Sequence, residues 1–344
     1  MKILVIGNLG YVGPVVVKHL SKINNAVIVG LDTGYFANCI TTKGKYCEYG
    51  ISEQIYLDAR SVNEKNLSGF DAIVYLAAIS NDPMGNEFEN PTFEINQNSA
   101  IRIANCAKKV GVKNFVFASS CSVYGSAEGK RNEESELNPL TTYAKSKIRT
   151  ELDLRKVADD SFKVTCLRFA TACGFSPRLR LDLVLNDFVA SAFVNKKIDI
   201  LSDGTPWRPL IHVKDMALAI EWGIYRTNDT CFIAINAGSD MWNYQVKQLA
   251  DAVARAIPGT IVNVNPDAQP DKRSYQVDFS LFRHLAPDHQ PKIDLEKAID
   301  DLISGLNMIK FSEPKFRDSD HYIRLNTLRS HIESNQLDKE LCWV

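Results

Sequence analysis

The sequence contains neither a CxxC pair of cysteines nor an HExxH motif. Its six histidines and eight cysteines are scattered along the chain, so we expect no metal site. Several cysteines stand inside apolar runs such as KVTCLRF and CFIAIN, where a thiol behaves as a small hydrophobic side chain. This usage is typical of a reducing compartment, and we therefore predict a cytoplasmic protein.

An excess of one charge and long apolar runs are also missing. The formal net charge is −1, the basic residues are spread along the chain, and no apolar run approaches the length of a membrane span. We therefore expect neither a nucleic acid nor a membrane as a partner. The first residues, MKILVIG, lack the three regions of a signal peptide and predict a first strand instead.

The sequence does contain a regular alternation of strand-like and helix-like segments. Short apolar runs rich in β-branched and aromatic residues predict buried strands at 2–6, 26–31, 54–57, 72–77, 114–118, 163–167 and 231–236. Helical patterns are predicted at 11–22, 96–110, 142–158, 182–194, 214–226, 243–256 and 294–305. This alternation predicts an α/β fold with a doubly wound parallel sheet, the Rossmann fold.

The pattern weakens after about residue 170, which suggests two domains. We assign residues 1–170, together with 210–240, to the Rossmann domain. Residues 171–209 and 241–344 are assigned to a smaller mixed lobe over the carboxyl edge of the sheet, where ligands of such folds bind.

The first predicted strand is followed by a glycine-rich turn, GNLGYVG, which contains Gly7, Gly10 and Gly13. These glycines permit a tight turn, close approach of the backbone to a pyrophosphate, and close packing of a helix whose N-terminus favours phosphate. Asp32 follows at the predicted end of the second strand. Its carboxylate can accept hydrogen bonds from ribose hydroxyls and would repel a 2′-phosphate, so the pattern predicts NAD and not NADP.

A second pattern is the segment Tyr143-Ala-Lys-Ser-Lys147 in a predicted helix. Residues four positions apart lie on one helix face, so the phenol and the ammonium group are expected side by side. The charge of Lys147 is expected to lower the pKa of Tyr143, which makes a phenolate base accessible near neutral pH. An ordinary amphipathic helix can carry the same pair. The pair indicates a catalytic site only in combination with the serine-rich segment SSCSVYG upstream.

Taken together, these segments resemble the motifs of one known family. GNLGYVG, Asp32, YLDAR, YLAA, SSCSVYG, YAKSK and RPLIHVKD are similar in order and spacing to extended short-chain dehydrogenases/reductases, and most of all to their nucleotide-sugar epimerase/dehydratase branch. The resemblance covers nearly the whole chain and is strongest through residue 215. Tyr75 and Thr171 depart from it, because many relatives carry His and Asn at these positions.

The resemblance implies a role for one hydroxyl of SSCSVYG. Epimerases of this branch place the catalytic hydroxyl at the position of Ser120, where it would bond the reacting sugar hydroxyl beside Tyr143. In the 4,6-dehydratases the next two positions are Asp and Glu, whereas here they are Cys121 and Ser122. A protonated thiol and an unactivated hydroxyl cannot replace that acid and base. Strand alternation predicts that Cys121 faces away from the site as a packing residue.

The resemblance also implies two sets of binding residues. Those expected at the cofactor are Gly7, Leu9, Gly10, Tyr11, Val12, Gly13, Asp32, Asp58, Ala59, Leu76, Ala77, Ala78, Asn96, Tyr143 and Lys147, with Asp58 accepting from the exocyclic amine of adenine. Those expected at the sugar nucleotide are Ser80, Asn81, Ser120, Thr171, Asn186, Arg208 and Arg273. The two arginines are the expected partners of the diphosphate, which suits a guanidinium fork.

The function implied is an NAD-dependent epimerase of a nucleotide-diphosphate sugar. It oxidises the sugar transiently, at C4, to a keto-sugar and reduces it again on the other face. A nucleotide-sugar oxidoreductase, either a ketosugar reductase or a dehydrogenase, uses the same catalytic residues and stays open as an alternative, as does a 4,6-dehydratase. A dinucleotide-sensing regulator would keep the fold without catalysis, but such proteins usually lack the Tyr or the Lys.

The resemblance further implies a homodimer. In the family, the helices that match 96–110 and 142–158 pair with their copies across a two-fold axis. Apolar or small side chains that one core does not need are expected to form this contact, namely Ile101, Ala104, Ile148 and Leu152.

Overall fold

A computed structural model describes residues 1–42, 50–227, 230–265, 268 and 274–344. Its strands are β1 (Lys2–Ile6), β2 (Val27–Asp32), β3 (Glu53–Tyr56), β4 (Ala72–Tyr75), β5 (Asn114–Ser120), β6 (Lys130–Arg131), β7 (Lys163–Phe169), β8 (Thr171–Cys173), β9 (Lys197–Ile200), β10 (Trp207–His212), β11 (Phe232–Ala237), β12 (Asn243–Gln245), β13 (Ile261–Val264) and β14 (Gln276–Val277). Its α-helices are α1 (Gly13–Leu20), α2 (Glu64–Leu67), α3 (Asp82–Glu87), α4 (Glu89–Phe93), α5 (Ala100–Lys109), α6 (Thr142–Val157), α7 (Val184–Asn195), α8 (Val213–Tyr225), α9 (Val246–Ala256), α10 (Ser280–Leu285), α11 (Leu295–Met308) and α12 (Arg324–Glu333).

Seven of these strands form one parallel sheet in the order β11-β7-β5-β4-β1-β2-β3. All seven correspond to predicted strands, and the doubly wound α/β fold is confirmed. The chain order reverses beside β1, which has β2 on one side and β4 on the other. Ligands of such sheets bind outside the carboxyl ends of the strands at this point of reversal.

Side chains along the strands alternate between two apolar layers. In β1, Ile3 and Val5 face the layer that contains α1 and α8, whereas Leu4 and Ile6 face the layer that contains α5 and the end of α6. All four side chains are fully buried. Burial on both faces explains why this segment reads as a continuous apolar run without polar alternation. The prediction of a buried strand at 54–57 is wrong about burial, because β3 stands at the edge of the sheet and its residues are half-buried or exposed.

One predicted helix differs in the structure. A single helix over 96–110 was expected, but the chain forms a π-helical turn at Glu94–Ser99 and becomes α-helical only at Ala100. Within this turn Asn96 is fully buried, and its side chain bonds the backbone of Ile79 and the hydroxyl of Ser146. π-helical turns are rare and frequently occur near functional sites.

The four side chains predicted at a dimer contact are not equally exposed. Ala104 is fully buried in the layer beneath α5, because its small side chain faces the sheet, so it is not available to a second chain. Leu152 is 55% exposed, and Ile101 and Ile148 are partly exposed. The homodimer stays a prediction that now depends on these three residues.

The second half of the chain builds smaller elements around the sheet. β12, β10 and β8 form a three-stranded sheet, and β9 pairs with β13 while β6 pairs with β14. Helix α7 packs against α9 and α11. Within the described ranges, no helix combines the length and the apolar character needed to cross a membrane.

The last residues of the chain pack against the first half. The domain prediction places all of 241–344 in the smaller lobe over the carboxyl edge of the sheet, and it stays a prediction. Leu328, Leu337 and Leu341 pack with Tyr35 and Ile79, which follow the carboxyl ends of β2 and β4, in a separate apolar cluster. Tyr35 and Leu341 stand 306 positions apart, so no local sequence pattern announces their contact.

Candidate active site

The backbone packs so closely around the glycine-rich turn between β1 and α1 that two of its glycines have no room for a side chain. Gly7 has a φ of 90°, and a Cβ there would lie 2.5 Å from the backbone nitrogen of Ala77. A Cβ on Gly13 would lie 2.4 Å from the carbonyl oxygen of Asn8. On Gly10, in contrast, it would meet only the Gly7 oxygen at 3.4 Å. The protein's own packing therefore does not demand glycine at position 10. A ligand that approaches the backbone of Gly10 closely would demand it, because a side chain there would block the approach.

Asp32 ends β2 beside this turn. Its Oδ2 accepts from the backbone nitrogen of Leu9 at 2.9 Å, and its Oδ1 accepts from that of Gly34 at 2.8 Å. Burial raises the pKa of Asp32, while the two backbone donors and the charge of Arg178 oppose the rise. The carboxylate is thus held rigidly at the end of β2, in the place where a ribose is expected.

The turn and Asp32 line one cavity of about 1050 Å³ at the carboxyl edge of the sheet. The same cavity brings together most of the predicted site residues: Gly7, Gly10, Tyr11, Val12, Gly13, Asp32, Asp58, Ala59, Leu76, Ala77, Ala78, Ser80, Asn81, Ser120, Tyr143, Lys147, Thr171 and Arg208. Arg273 lies outside the described residues.

Three predicted binding residues are buried behind the cavity wall instead of lining it. Leu9 is 1% exposed, and its backbone nitrogen is used by Asp32. Asn96 is fully buried and holds the loop after β4 against α6. Asn186 is also fully buried: its amide donates to the Tyr11 hydroxyl and to the carbonyl of Arg180, and accepts from the backbone of Gly174. The two asparagine side chains and the Leu9 backbone position the wall, because their polar atoms already have partners within the chain.

Tyr143 stands in the first turn of α6 and faces the cavity. Burial raises its pKa to about 12, and a hydrogen bond with Ser120 is the main opposing influence. Ser120, at the end of β5, also accepts from the backbone nitrogen of Ser122 at 3.1 Å. The cation that lowers the pKa of Tyr143 is Arg180, a residue that the sequence analysis did not single out.

Lys147 lies one turn after Tyr143 and is 2% exposed. Its Nζ donates to the carbonyl oxygen of Ala118 at 2.7 Å and lies 5.5 Å from the centre of the Tyr143 ring. Burial lowers the pKa of Lys147 to about 7, and the charge of Glu151 opposes this shift. Lys147 is not among the groups that lower the pKa of Tyr143, contrary to the expectation from the sequence.

A buried ion pair lies behind these catalytic candidates. Glu151, one turn beyond Lys147, accepts from Arg168 of β7 at 2.7 Å and from the hydroxyl of Ser119. Arg168 also donates to the Tyr124 hydroxyl at 3.1 Å. Both charged side chains are at most 7% exposed. The pair joins α6, β5 and β7 directly beneath these candidate residues.

A second buried ion pair forms part of the cavity wall. Arg180 and Asp182 both line the cavity, at 8% and 13% side-chain exposure, and bond each other at 2.8 Å. Arg180 also donates to the Ser80 hydroxyl at 2.8 Å, and Asp182 accepts from Asn81 at 2.8 Å. The charged run RLRLD between β8 and α7 was the sequence signal that could have revealed this pair.

The two residues after Ser120 have separate environments. Cys121 is fully buried, donates to the carbonyl oxygen of Arg168, and has its pKa raised by burial. This placement agrees with the predicted packing role. Ser122 lines the cavity, and its buried hydroxyl has no hydrogen-bond partner within the described chain. A buried hydroxyl without a partner is uncommon in folded proteins, and Ser122 is therefore a candidate for a ligand contact.

Comparison with known proteins identifies the family. The model of the "NAD dependent epimerase/dehydratase family" matches residues 3–238. The chain belongs to this family. It is 30% identical over 233 residues, 64% of this chain and 71% of the relative, to a protein of Bacillus subtilis strain 168 named "Uncharacterized UDP-glucose epimerase YtcB".

Solved structures of family relatives share the fold. The UDP-glucuronic acid 4-epimerase of Bacillus cereus, in complex with UDP-glucuronic acid and NAD, superposes with a TM-score of 0.75 at 20% identity and covers 90% of this chain and 99% of its own. The NAD-dependent NDP-hexosamine 5,6-dehydratase TunA superposes with a TM-score of 0.76 at 20% identity and covers 89% and 97%.

The residues present fit the NAD on which this family depends. The open Gly10 backbone and the start of α1, which has no side-chain cap, suit a pyrophosphate. The carboxylate of Asp32 suits the adenosine ribose. Lys147 retains two ammonium hydrogens beyond its bond to Ala118 and suits the nicotinamide ribose. Among the described residues, no group of three or more His, Cys, Asp or Glu side chains has the arrangement of a metal site.

Proposed function

We propose that this family member is an epimerase of a nucleotide-activated sugar that inverts C4 through a transient keto-sugar. The observation that carries the proposal is the convergence of Ser120, Tyr143 and Lys147 in the same cavity as the glycine-rich turn and Asp32. The volume of this cavity is at the upper end of the range for sites that bind one small molecule. Such a volume suits a dinucleotide with a sugar nucleotide beside it.

Tyr143 is the proposed base. Its phenolate takes the proton of the sugar hydroxyl, and Ser120 orients that hydroxyl by a shared hydrogen bond. When bound, NAD supplies the acceptor and later the donor of the carbon-bound hydrogen, together with a positive charge that lowers the pKa of Tyr143. Without that charge the phenol, with its pKa at about 12, stays protonated at neutral pH. Proton removal is therefore expected only in the loaded site.

The keto-sugar has to turn before it is reduced again. The sugar end of the cavity carries the short hydroxyl side chains of Ser80, Ser122 and Thr171, which can bond either orientation of a sugar ring. Arg180 stands on the same wall and is a proposed contact to the sugar. Arg208 lines the cavity and is the proposed partner of the diphosphate, with Arg273 as a second proposed partner.

Two observations favour epimerase over dehydratase chemistry. The resemblance to the 4,6-dehydratases implies that elimination of water would use an acid and a base at the two positions after Ser120. Cys121 is buried away from the cavity with a raised pKa, and Ser122 has no neighbouring base bonded to its hydroxyl. The names of the relatives make UDP-glucose and UDP-glucuronic acid the first substrates to test.

The test is a panel of nucleotide sugars followed by NMR, with absorbance at 340 nm recorded in parallel. An epimerase converts one sugar into a mixture with its C4 epimer without net absorbance change. A stoichiometric rise or fall at 340 nm would instead identify the oxidoreductase alternative. Loss of water from the sugar would identify a dehydratase and overturn the proposal.

The role of Tyr143 is tested by Tyr143→Phe. Removal of the phenol is expected to reduce turnover by about 10²–10⁴-fold while NAD still binds. Tyr225→Phe, at a 40% exposed tyrosine in α8 outside the cavity, is the matched control and should retain turnover. Near-normal turnover of Tyr143→Phe would remove this residue from the mechanism.

We also propose that the protein is a homodimer through the faces of α5 and α6 that carry Ile101, Ile148 and Leu152. The 55% exposed Leu152 supports the proposal, because an exposed leucine on a helix is a natural contact point. Light scattering at micromolar concentration is expected to give twice the chain mass of 38.5 kDa, and Leu152→Glu should shift the mass to one chain. A single-chain mass for the unmodified protein would exclude the dimer.

A further inference from the structure

The segment 337–344 packs against the end of the cavity where Asp32 lies. Trp343 donates its indole hydrogen to the carbonyl oxygen of Thr33 at 2.8 Å, and its ring lies 5.8 Å from that of Tyr35. Thr33 and Tyr35 follow Asp32 directly and line the cavity. The segment therefore supports, from behind, the loop that should hold the adenosine ribose.

The same segment also holds the loop after β3. Arg60 donates to both carboxylate oxygens of Asp58, at 2.7 to 3.1 Å, and to the carbonyl oxygens of Glu340 at 2.6 Å and Leu341 at 2.8 Å. The hydroxyl of Tyr35 donates to the Leu341 carbonyl as well. One backbone stretch thus connects the two cavity-lining loops that carry Asp32 and Asp58.

The backbone of this segment is specialised for these contacts. Leu341 is fully buried and has a φ of 57°, a conformation that non-glycine residues rarely adopt and that costs free energy unless the surroundings impose it. Here the carbonyl of Leu341 is held by Arg60 and Tyr35 together. The side chain of Leu341 packs in the apolar cluster with Tyr35.

We infer that the segment 337–344 is part of the cofactor site: through Trp343 and Arg60 it fixes the two loops that bind the adenosine half of NAD. Neither Trp343 nor Arg60 lines the cavity, so both are positioning residues. Loops held in their binding geometry before the ligand arrives bind it more tightly, because less ordering remains to be done. Slow release of NAD follows, which suits an enzyme that recycles its cofactor.

The test compares Trp343→Phe with Trp222→Phe. Both remove an indole hydrogen bond to a carbonyl, but that of Trp222 goes to Leu285, away from the cavity. We expect Trp343→Phe to bind NAD and AMP about tenfold more weakly, and to exchange bound NAD for isotope-labelled NAD about tenfold faster. Binding of nicotinamide mononucleotide should change less than twofold, and Trp222→Phe should leave all three values within twofold of the unmodified protein.

Arg60→Lys is the second variant, which keeps the charge but loses the fork that joins Asp58 to the segment. It is expected to weaken AMP binding in the same direction as Trp343→Phe and to raise the KM for NAD, with the turnover lost at low NAD recovered by excess NAD. Unchanged AMP binding in both variants, or an equal loss of AMP and nicotinamide mononucleotide binding, would overturn the inference. No sugar is present in the binding measurements, so their outcome is independent of the proposed epimerase activity.

Discussion

The molecule contains two buried ion pairs close to Tyr143, and they differ in what surrounds them. Glu151 and Arg168 stand on a regular helix and a regular strand, with their remaining polar atoms bonded to Ser119 and Tyr124. Arg180 and Asp182 stand on the irregular chain between β8 and α7, and line the cavity. The first pair is enclosed by the protein on every side, whereas the second has one side open to a ligand.

The difference suggests that similar chemistry serves two purposes. A buried ion pair costs desolvation and gains specificity of packing, so the inner pair is best understood as a joint between α6, β5 and β7. The outer pair bonds Ser80 and Asn81 at the cavity wall, where we propose that a substrate group binds. Loss of the inner pair should therefore appear in stability, and loss of the outer pair in catalysis.

The largest effect is expected from Glu151→Ala, which leaves Arg168 buried without its carboxylate. Breaking a buried pair in this way costs about 3–5 kcal/mol of unfolding free energy. Chemical denaturation measures the loss. Lys145→Ala, at an exposed position of the same helix, is the control and should change stability by less than about 0.5 kcal/mol. A Glu151→Ala protein as stable as the control would contradict the role of this pair as a joint.

Arg180→Lys is expected to have the next largest effect, and mainly on catalysis. Lysine keeps the positive charge but not the planar fork that contacts Asp182 and Ser80 together. We expect kcat/KM for the sugar nucleotide to fall by about 10–100-fold, the equivalent of one charge-assisted hydrogen bond. Steady-state kinetics and denaturation are measured on the same preparation. If stability fell as much as for Glu151→Ala while kcat/KM held, the distinction between the two pairs would be lost.

Lys147→Met tests what the burial of the Lys147 ammonium group costs in stability. The pKa of Lys147 is lowered to about 7 in the folded chain. Between about pH 7 and the higher, ordinary pKa of lysine, the unfolded chain therefore binds more protons than the folded chain. The stability of the unmodified protein should rise with pH through this window. The variant lacks that dependence, so its stability advantage over the unmodified protein should be largest at neutral pH and should shrink toward about pH 10. A stability difference that stays constant with pH would show that Lys147 is not titrated in this range.

The smallest effect is expected from Cys121→Ala. This residue bonds the backbone carbonyl of Arg168 and does not line the cavity. The variant should keep turnover within about twofold and lose about 1 kcal/mol of stability, as usual for a small buried truncation. Turnover and thermal unfolding are the two measurements. A large loss of turnover in a folded variant would place Cys121 in the mechanism.

Features that depend on neighbouring residues could be predicted from the sequence. The apolar runs marked all seven sheet strands, and inside the sheet the reason is that burial on both faces leaves no room for polar alternation. The edge strand β3 is the exception, because its residues are half-buried or exposed. The glycine-rich turn, Asp32 and the pair Tyr143 and Lys147 were recognisable because each depends on a spacing within one or two elements. The structure places all of them in one cavity.

The tertiary structure alone decided which side chains face that cavity and which stand behind it. Asn96 and Asn186 are residue types that often bind ligands. The backbone points both side chains toward the protein interior, where distant segments bond their amides. Arg180 and the segment 337–344 contribute to the site although the sequence analysis did not select them. Nothing in the local sequence predicts that Arg180 bonds Ser80 or that the segment 337–344 bonds Thr33. The physical reason is that strand and helix patterns reflect burial within one element, whereas hydrogen-bond and ion-pair partners are chosen only when separate elements meet.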